Sequence, residues 1–305
     1  MSTQKKTSII YKILSLFSVI RVYNVLILVA AQYLAAIFIF SPEKSIRYVV
    51  LDWHFLFLIL ATICVVSGGY IINNFYDVRL DLINRPIKTR VDSLVKQETK
   101  LTLYFILNFI GFIFGFLISP RAALFFAGYI FGIWFYSHKL KKYPFTGLFA
   151  ATTLTVFPFF AIFVYYLNFS KIIFVHALFL FLVIMVRELI KYLENIKGAI
   201  ANNYATFPAA YGEKKTKKLS IFLLILTIFP IVILFSYPAL SYMQYYFYLA
   251  MITLFYVGFF LWKATTKRHY TTLHNILKIL LLVGVLSLVL IDTSLLVEKV
   301  INKLN

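Results

Sequence analysis

The chain has 305 residues, of which 62% are hydrophobic and only 13% are charged, and its mean hydropathy is +0.88. Soluble domains average about 45–50% apolar and about 25% charged residues. The composition therefore excludes a soluble globular enzyme and indicates a membrane protein with several spans. The net charge is +19, and the single cysteine, Cys64, excludes an internal disulfide framework.

Nine apolar segments approach the length of about 20 residues that a helix needs to cross a bilayer. They lie at roughly 22–40, 54–74, 101–118, 121–137, 146–167, 172–190, 219–236, 243–262 and 275–296. A further apolar stretch, residues 8–20, predicts an interfacial helix that leads into the first span. No part of the sequence is predicted to form a separate soluble domain. We therefore predict a single all-α membrane domain over residues 1–305, built as a bundle of nine transmembrane helices.

The distribution of the 30 Lys and Arg residues predicts the orientation of the chain. Cytoplasmic loops are enriched in these residues, and the asymmetry is strongest if the N-terminus is cytoplasmic. We therefore predict a multi-pass protein of the cytoplasmic membrane, with the segments 75–100 and 187–212 inside. Topology and attraction to anionic lipid account for the net charge, so the bilayer, and not a nucleic acid, is the predicted partner.

Three oxygen-bearing side chains, Asn73, Asp77 and Asp81, follow the second apolar segment at intervals of four residues. On a helix this spacing places them on one face. Proteins commonly hold Mg²⁺ with one or two carboxylates while substrate phosphates fill other positions. A solvated helix end, with the carboxylates neutralised by Arg79 and Arg85, explains the spacing equally well.

The stretch at 73–86, NNFYDVRLDLINRP, resembles the first aspartate-rich motif of the UbiA family of intramembrane prenyltransferases. That motif reads N-D-x-x-D-x-x-x-D, and here Asn74 replaces an aspartate. The N-R-P at 84–86 is similar to family members that alkylate prenylated glycerol phosphate. The resemblance implies a helical bundle around a central cavity and a Mg²⁺ site formed by Asn73, Asp77 and Asp81.

Residues 187–212, RELIKYLENIKGAIANNYATFPAAYG, resemble the second family motif, which runs approximately R-E-x-x-K-D-x-x-D-x-x-G-D and ends in T-x-P-x-x-x-G. The frame is retained, but the three metal-binding aspartates are replaced by Tyr192, Asn195 and Ala199. In the family, two such motifs hold two Mg²⁺ ions on a diphosphate. The resemblance therefore implies one nearly whole metal site and one without its carboxylates.

Two glutamates remain in this second segment. Glu188 precedes Lys191 by three residues and Glu194 precedes Lys197 by three, a spacing that favours ion pairs on a helix. We predict that ion pair for Glu188. For Glu194 a role as substitute ligand is the alternative, and Asn195 offers a neutral oxygen that binds a cation more weakly.

Other candidates come from segments that resemble the family less specifically. Arg21 begins an R-x-x-N at the first span, although snorkelling to the interface explains it as well. Tyr136 begins Y-S-x-x-L-K-x-x-P, where its ring would stabilise an allylic cation or belong to an aromatic belt. The predicted catalytic set is Asp77, Asp81, Lys191 and Tyr136. The predicted substrate-binding set is Asn73, Asn74, Arg21, Arg85, Arg90, Lys139, Lys141, Arg187, Glu194 and Asn195.

Three functions are consistent with the sequence. The first is Mg²⁺-dependent transfer of a polyprenyl group from a prenyl diphosphate to a membrane-soluble acceptor, either a prenylated glycerol-phosphate lipid or an aromatic compound. The N-R-P at 84–86 favours the glycerol-phosphate lipid. The second is a non-catalytic relative that binds an isoprenoid lipid or a partner enzyme, which the missing aspartates favour. The third is a transporter or channel, which only the number of spans supports.

Overall fold

The computed structural model describes residues 9–291, and all regular structure in this range is helical. Three short 3₁₀ helices cover Leu140–Lys142, Pro238–Met243 and Leu288–Leu290, and a π-helical turn at Ala36–Phe40 continues α2. The α-helices, numbered in chain order from α1 to α15, are Ile9–Ile20, Val22–Ala35, Ile46–Val50, Trp53–Asn84, Pro86–Asp92, Gln97–Ile118, Pro120–His138, Pro144–Tyr166, Lys171–Glu194, Ile196–Ala201, Phe207–Tyr211, Glu213–Leu226, Ile228–Phe235, Gln244–Lys263 and Lys267–Ser287.

Eight helical segments of the described chain are long and apolar enough to cross a membrane. They are Val22–Phe40, Trp53–Asn84, Gln97–Ile118, Pro144–Tyr166, Lys171–Glu194, Glu213–Phe235, Leu240–Lys263 and Lys267–Leu290. The one remaining predicted span, 121–137, corresponds to α7, a helix of 19 residues that packs against α4, α6 and α8. The predicted count is therefore approximately right. The end of the last predicted span, 292–296, lies outside the described residues.

Proline residues shape two of these spans. Pro158 lies inside α8 and cannot donate to the carbonyl of Leu154, four residues earlier. The hydroxyl of Tyr129 on α7 donates to that carbonyl at 3.0 Å, so the break in the helix becomes a contact between neighbouring helices. Pro230 interrupts the sixth segment in the same way, and α12 ends at Leu226.

Helix α4 is the longest element and reaches beyond its apolar part. It packs along α6, and a Cβ added to Gly111 of α6 would lie only 2.8 Å from Cγ2 of Val65. Small residues allow this approach, and such close packing drives helix association where lipid offers no hydrophobic gain. The second predicted span, 54–74, ends too early, because α4 continues without interruption to Asn84.

Helix α9 occupies the core and carries the start of the second motif. It packs against α8, α12, α13 and α15, and Val183, Leu189 and Ile190 are completely buried. Its last two turns hold the polar residues 187–194, after which the short helices α10 and α11 fold back against α4 and α8. The polar ends of α4 and α9 are therefore adjacent.

Candidate active site

The first polar face lies near the C-terminal end of α4. Asn73 and Asp77 are one turn apart, and Lys141 from the 3₁₀ turn between α7 and α8 approaches both. Its ammonium donates to Oδ1 of Asp77 at 2.6 Å and lies 3.5 Å from Oδ1 of Asn73. The Lys141 side chain is only 6% exposed. Burial lowers the pKa of Lys141, and the charge of Asp77 opposes that shift.

The chain reaches this position because α7 ends at His138 and α8 starts with Pro144, which is suited to the first turn of a helix. The 3₁₀ turn Leu140–Lys142 lies between these two helices and directs the side chain of Lys141 toward α4. A hydrogen bond between Nδ1 of His138 and the hydroxyl of Tyr76, 3.2 Å, ties the end of α7 to the same turn of α4. Lys141 is thus a fixed counter-ion of the first motif.

Asp81 lies one turn beyond Asp77 and is partly buried. No described cation forms an ion pair with it within 4 Å. Arg85 and Arg21 nonetheless act on it electrostatically, as does the like charge of Asp77. Asn73, Asp77 and Asp81 therefore present two carboxylates and an amide along one face of α4, with cations around them.

Asn74 belongs to a different part of the structure. Its Oδ1 accepts from the ammonium of Lys100 at 2.9 Å, and its Nδ2 donates to Asp92 at 3.0 Å. Asp92 also accepts from Ser18 at 2.7 Å and from Lys88 at 2.6 Å. This buried network joins α1, α4, α5 and α6, so Asn74 acts as a structural connection among these helices.

The second polar face is formed by the last turns of α9. The carboxylate of Glu188 accepts from Lys191 at 2.9 and 3.2 Å and from Arg187 at 3.4 Å. The ion pair predicted between Glu188 and Lys191 is therefore present. Nε of Arg187 is buried without a hydrogen-bond partner, which leaves donor capacity at the centre of the site.

Tyr136 of α7 and Tyr192 of α9 bridge the two faces. The carboxylate of Asp77 acts electrostatically on both side chains, and the two phenol groups interact with each other. Tyr204, in the turn after α10, lies in the same field, and burial together with Asp77 raises its pKa to about 12. Neutral phenol rings thus line the space between Asp77 and the second motif.

Glu194 pairs with residues far away in sequence. Its carboxylate lies 3.9 Å from Arg85 and 3.7 Å from Nδ1 of His274 on α15. The predicted ion pair with Lys197 is wrong, because Glu194 ends α9 and Lys197 lies beyond the break at Asn195. The carboxylate instead lies where the ends of α4 and α9 meet α15.

Asn84 makes the closest contact between the two motifs. Its Oδ1 accepts from the amide of Gly198 at 3.2 Å, and its Nδ2 donates to the carbonyl of Asn195 at 3.3 Å. A Cβ on residue 198 would lie 2.7 Å from Cγ of Asn84 and closer still to its Nδ2, so only glycine fits. Lys267 completes the contact by donating to the carbonyl of Asn84 at 2.6 Å.

The model of the UbiA prenyltransferase family matches residues 25–282. The chain belongs to this family. Among sequence relatives, digeranylgeranylglyceryl phosphate synthase of Methanobrevibacter smithii is 29% identical over 219 residues, which are 68% of this chain and 73% of that enzyme. Further relatives of the same name are matched over 53% to 68% of their own length.

Solved structures show the same fold. A structure described as giving insights into the biosynthesis of digeranylgeranylglyceryl phosphate synthase in membranes superposes with a TM-score of 0.69 at 22% identity, covering 91% of this chain and 97% of that chain. A UbiA homologue from Archaeoglobus fulgidus bound to DMAPP and Mg²⁺ gives 0.64 at 14% identity, covering 90% and 99%. This UbiA protein is therefore an integral membrane protein with several spans.

The donor set decides which metal ions fit. Asn73, Asp77 and Asp81 are hard oxygen ligands of the kind Mg²⁺ prefers, and together with substrate phosphates they suffice for one ion. The described residues contain no group of three or more His, Cys, Asp or Glu side chains suited to a metal ion. At the second motif the amide nitrogen of Asn195 donates to the carbonyl of Lys191, which leaves one neutral, buried amide oxygen where the family has carboxylates. The residues thus fit one Mg²⁺ ion and do not fit a second.

The remaining predicted residues divide into two groups. Arg21 lies beside the site, with its guanidinium 5.2 Å from the ring centroid of Tyr70, and Arg85 reaches it through Glu194. Arg90 and Lys139 are exposed, and no ion pair of residues 9–291 joins them to the two faces. The sequence reasoning missed Asn84 and His274; the N-R-P at 84–86 was the available signal for the first.

Proposed function

We propose that this protein transfers a prenyl group from a prenyl diphosphate to a hydroxyl of a prenylated glycerol-phosphate lipid. The observation that carries the proposal is that Tyr136 and Tyr192 lie within the electrostatic reach of both Asp77 on α4 and Glu188, the ion-pair partner of Lys191, on α9. The family and the names of the sequence relatives support the reaction class and the glycerol-phosphate acceptor. The A. fulgidus homologue, bound to DMAPP and Mg²⁺, supports a prenyl diphosphate donor.

The chemistry requires stabilisation of a leaving group. When the allylic carbon–oxygen bond breaks, negative charge builds on the diphosphate, and fixed cations nearby lower the barrier. Lys141, Arg187 and Lys191 supply such charges at the two faces. The acceptor oxygen then forms the new ether bond to the allylic carbon, and its proton is released. Mg²⁺ held by Asn73, Asp77 and Asp81 would add neutralising charge to the leaving diphosphate.

The aromatic residues between the faces have a complementary role. An allylic carbon that loses its diphosphate carries positive charge, which the face of an aromatic ring attracts. The rings of Tyr136 and Tyr192 lie within the electrostatic reach of Asp77, where that carbon would be placed. Closure of the site around these rings would also keep water from capturing the cation in place of the acceptor.

We further propose that both motifs face the cytoplasm of the cell. The C-terminal end of α4, the turn at 139–142 and the stretch at 187–218 carry most of the Lys and Arg residues near the site. This arrangement follows the charge rule for cytoplasmic loops. A basic rim also attracts an anionic, water-borne diphosphate toward the site.

The test is transfer by the purified protein in lipid nanodiscs with Mg²⁺, a radiolabelled prenyl diphosphate and a monoalkylglycerol phosphate. We expect a labelled, chloroform-soluble ether product. Asp77→Asn should reduce turnover at least a hundredfold, on the scale of lost transition-state electrostatics. Glu98→Gln, which removes an exposed carboxylate at the start of α6, is the control and should retain wild-type turnover.

A second function is favoured by one specific observation, the presence of Tyr192, Asn195 and Ala199 where the family motif has aspartates. A chain without the second carboxylate set would bind an isoprenoid diphosphate without cleaving it. Saturable binding of the labelled diphosphate with no product, for every acceptor lipid offered, would support this alternative and refute the transferase.

A further inference from the structure

Helix α15 carries a stripe of nitrogen-bearing side chains that belongs to neither motif. Lys267, His274 and Lys278 of α15 are separated by seven and four residues, so they share one helix face. Lys267 donates to Asn84 and His274 lies beside Glu194, which directs this face toward the active site. The ammonium of Lys278 lies 4.3 Å from the ring centroid of Tyr23 on α2.

Lys278 stands in an unusual environment for a lysine. It follows Lys267 by eleven residues, which is about 16 Å along a helix, and it lies inside the span Lys267–Leu290. A charged side chain inside a membrane span is costly, normally has a charged or carbonyl partner and marks a functional position. No carboxylate of residues 9–291 lies within ion-pair distance of Lys278.

The neighbours of Lys278 form an acid-free cluster where α2, α4 and α15 meet. Arg21 and Asn24 act on Tyr23, and the guanidinium of Arg21 stacks over Tyr70. Arg21 has φ 56°, in the left-handed region that favours glycine, and strained residues of this kind concentrate at functional sites. Two cations, two phenols and one amide are a donor-rich set that suits an anion.

The position of the cluster indicates where that anion comes from. Tyr23 is 57% exposed, and Leu26, one turn further along α2, is 64% exposed. Both lie on the outer surface of a membrane-spanning helix, so the cluster opens toward lipid. On the inner side, Arg21 acts electrostatically on Asp81 of the first motif. The cluster thus connects the lipid-facing surface with the diphosphate end of the site.

We propose that Arg21, Tyr23 and Lys278 bind the phosphate monoester of a lipid headgroup. The assignment of that lipid as the acceptor rests on the proposed function; the binding of the phosphate does not. A glycerol phosphate anchored here carries its hydroxyl a few bonds from the phosphorus, at a cluster whose Arg21 also acts electrostatically on Asp81. The same chemistry would also accept free inorganic phosphate, but the exposed apolar surface beside Tyr23 favours a lipid.

The test measures lipid retention by native mass spectrometry of the detergent-purified protein. The probes are phosphatidic acid as the monophosphate lipid, phosphatidylcholine as the neutral comparison, and inorganic phosphate. Lys278→Met keeps the length of the side chain and removes its charge, and Lys278→Arg restores the charge. Lys263→Met is the control, because the ammonium of Lys263 likewise lies over a ring, 4.2 Å from the centroid of Phe259, but at the end of a different span.

We expect Lys278→Met to bind phosphatidic acid about tenfold to a hundredfold more weakly, the range for losing one charged hydrogen bond. Phosphatidylcholine retention and prenyl diphosphate affinity should not change, and Lys278→Arg should recover binding. Equal loss in Lys263→Met, no loss in Lys278→Met, or inorganic phosphate displacing phosphatidic acid at equal concentration would overturn the proposal.

The transfer assay separates this inference from the proposed function. The acceptor concentration that gives the half-maximal rate should rise in Lys278→Met, whereas the corresponding prenyl diphosphate concentration should stay constant. That result supports both the lipid site and the transferase. If no acceptor is alkylated but phosphatidic acid retention still depends on Lys278, the lipid site stands and the transferase is refuted. If transfer proceeds with an unchanged acceptor dependence, the assignment of the bound lipid as the acceptor is refuted and the transferase stands.

Discussion

The contact between Asn84 and Gly198 allows a sharp test of how the two motifs are held together. Asn84 forms two hydrogen bonds across the interface, to the amide of Gly198 and the carbonyl of Asn195. Replacing Gly198 with alanine places a methyl group 2.7 Å from Cγ of Asn84, so the Asn84 side chain must leave its position. Both hydrogen bonds are then lost.

The loss of unfolding free energy in Gly198→Ala can be calculated from these contacts. Each hydrogen bond contributes about 0.5–1.5 kcal/mol, so Gly198→Ala should destabilise the protein by about 1–3 kcal/mol. Asn84→Ala removes the same two bonds and should cost a similar amount. In the Asn84→Ala background no side chain opposes the new methyl group. Gly198→Ala should there be neutral or stabilising by up to about 1 kcal/mol, because alanine favours helix over glycine.

The assay is a double-mutant cycle on unfolding free energies in mixed micelles, with prenyl diphosphate affinity as a second readout. The two single changes should show a coupling of about 1–3 kcal/mol. Gly128→Ala on α7 is the control, because a Cβ there meets no atom within 4 Å and should cost nothing. Additive effects of Asn84→Ala and Gly198→Ala would refute the claim that this contact joins the motifs.

Three further results are expected. Lys141→Met leaves Asp77 buried without its counter-ion and should destabilise the protein by about 3–5 kcal/mol. Because Mg²⁺ can replace the lost charge, it should raise the melting temperature more in this variant than in the wild type. An equal shift in the two proteins would contradict the pairing. The triple change Tyr192→Asp, Asn195→Asp and Ala199→Asp should give little gain in turnover, because the new carboxylates neutralise Arg187 and Lys191; a large Mg²⁺-dependent gain would show a merely degraded second site. Cysteine-accessibility labelling should place 85–100 and 212–218 in the cytoplasm and 41–48 outside, and labelling of 85–100 from outside would reverse the topology.

Local features of the site were accessible from the sequence. The spacing of four among Asn73, Asp77 and Asp81 predicted one helix face, and α4 places all three along it. The spacing of three between Glu188 and Lys191 predicted their ion pair. Both predictions depend only on helix periodicity, which the surrounding structure leaves unchanged.

Features that depend on tertiary packing could not be predicted from the sequence. Asn74 follows Asn73 directly, yet its side chain forms hydrogen bonds with Asp92 of α5 and Lys100 of α6 and not with the residues of the site. Glu194 pairs with Arg85 and His274, which no local spacing connects to it. The fall in hydropathy after residue 74 suggested a loop, but α4 continues because α6 and α10 pack along it. Such contacts form only when distant segments meet.

The most direct measurement is the number of Mg²⁺ ions bound with a prenyl diphosphate analogue that is not cleaved, such as a thiolodiphosphate. Equilibrium dialysis of the wild-type protein should give one Mg²⁺ per chain, lost in Asp77→Asn and retained in Glu98→Gln. The charge of Arg187 and Lys191 takes the place of a second ion in this account. Two tightly bound Mg²⁺ ions per chain in the unmodified protein would contradict it.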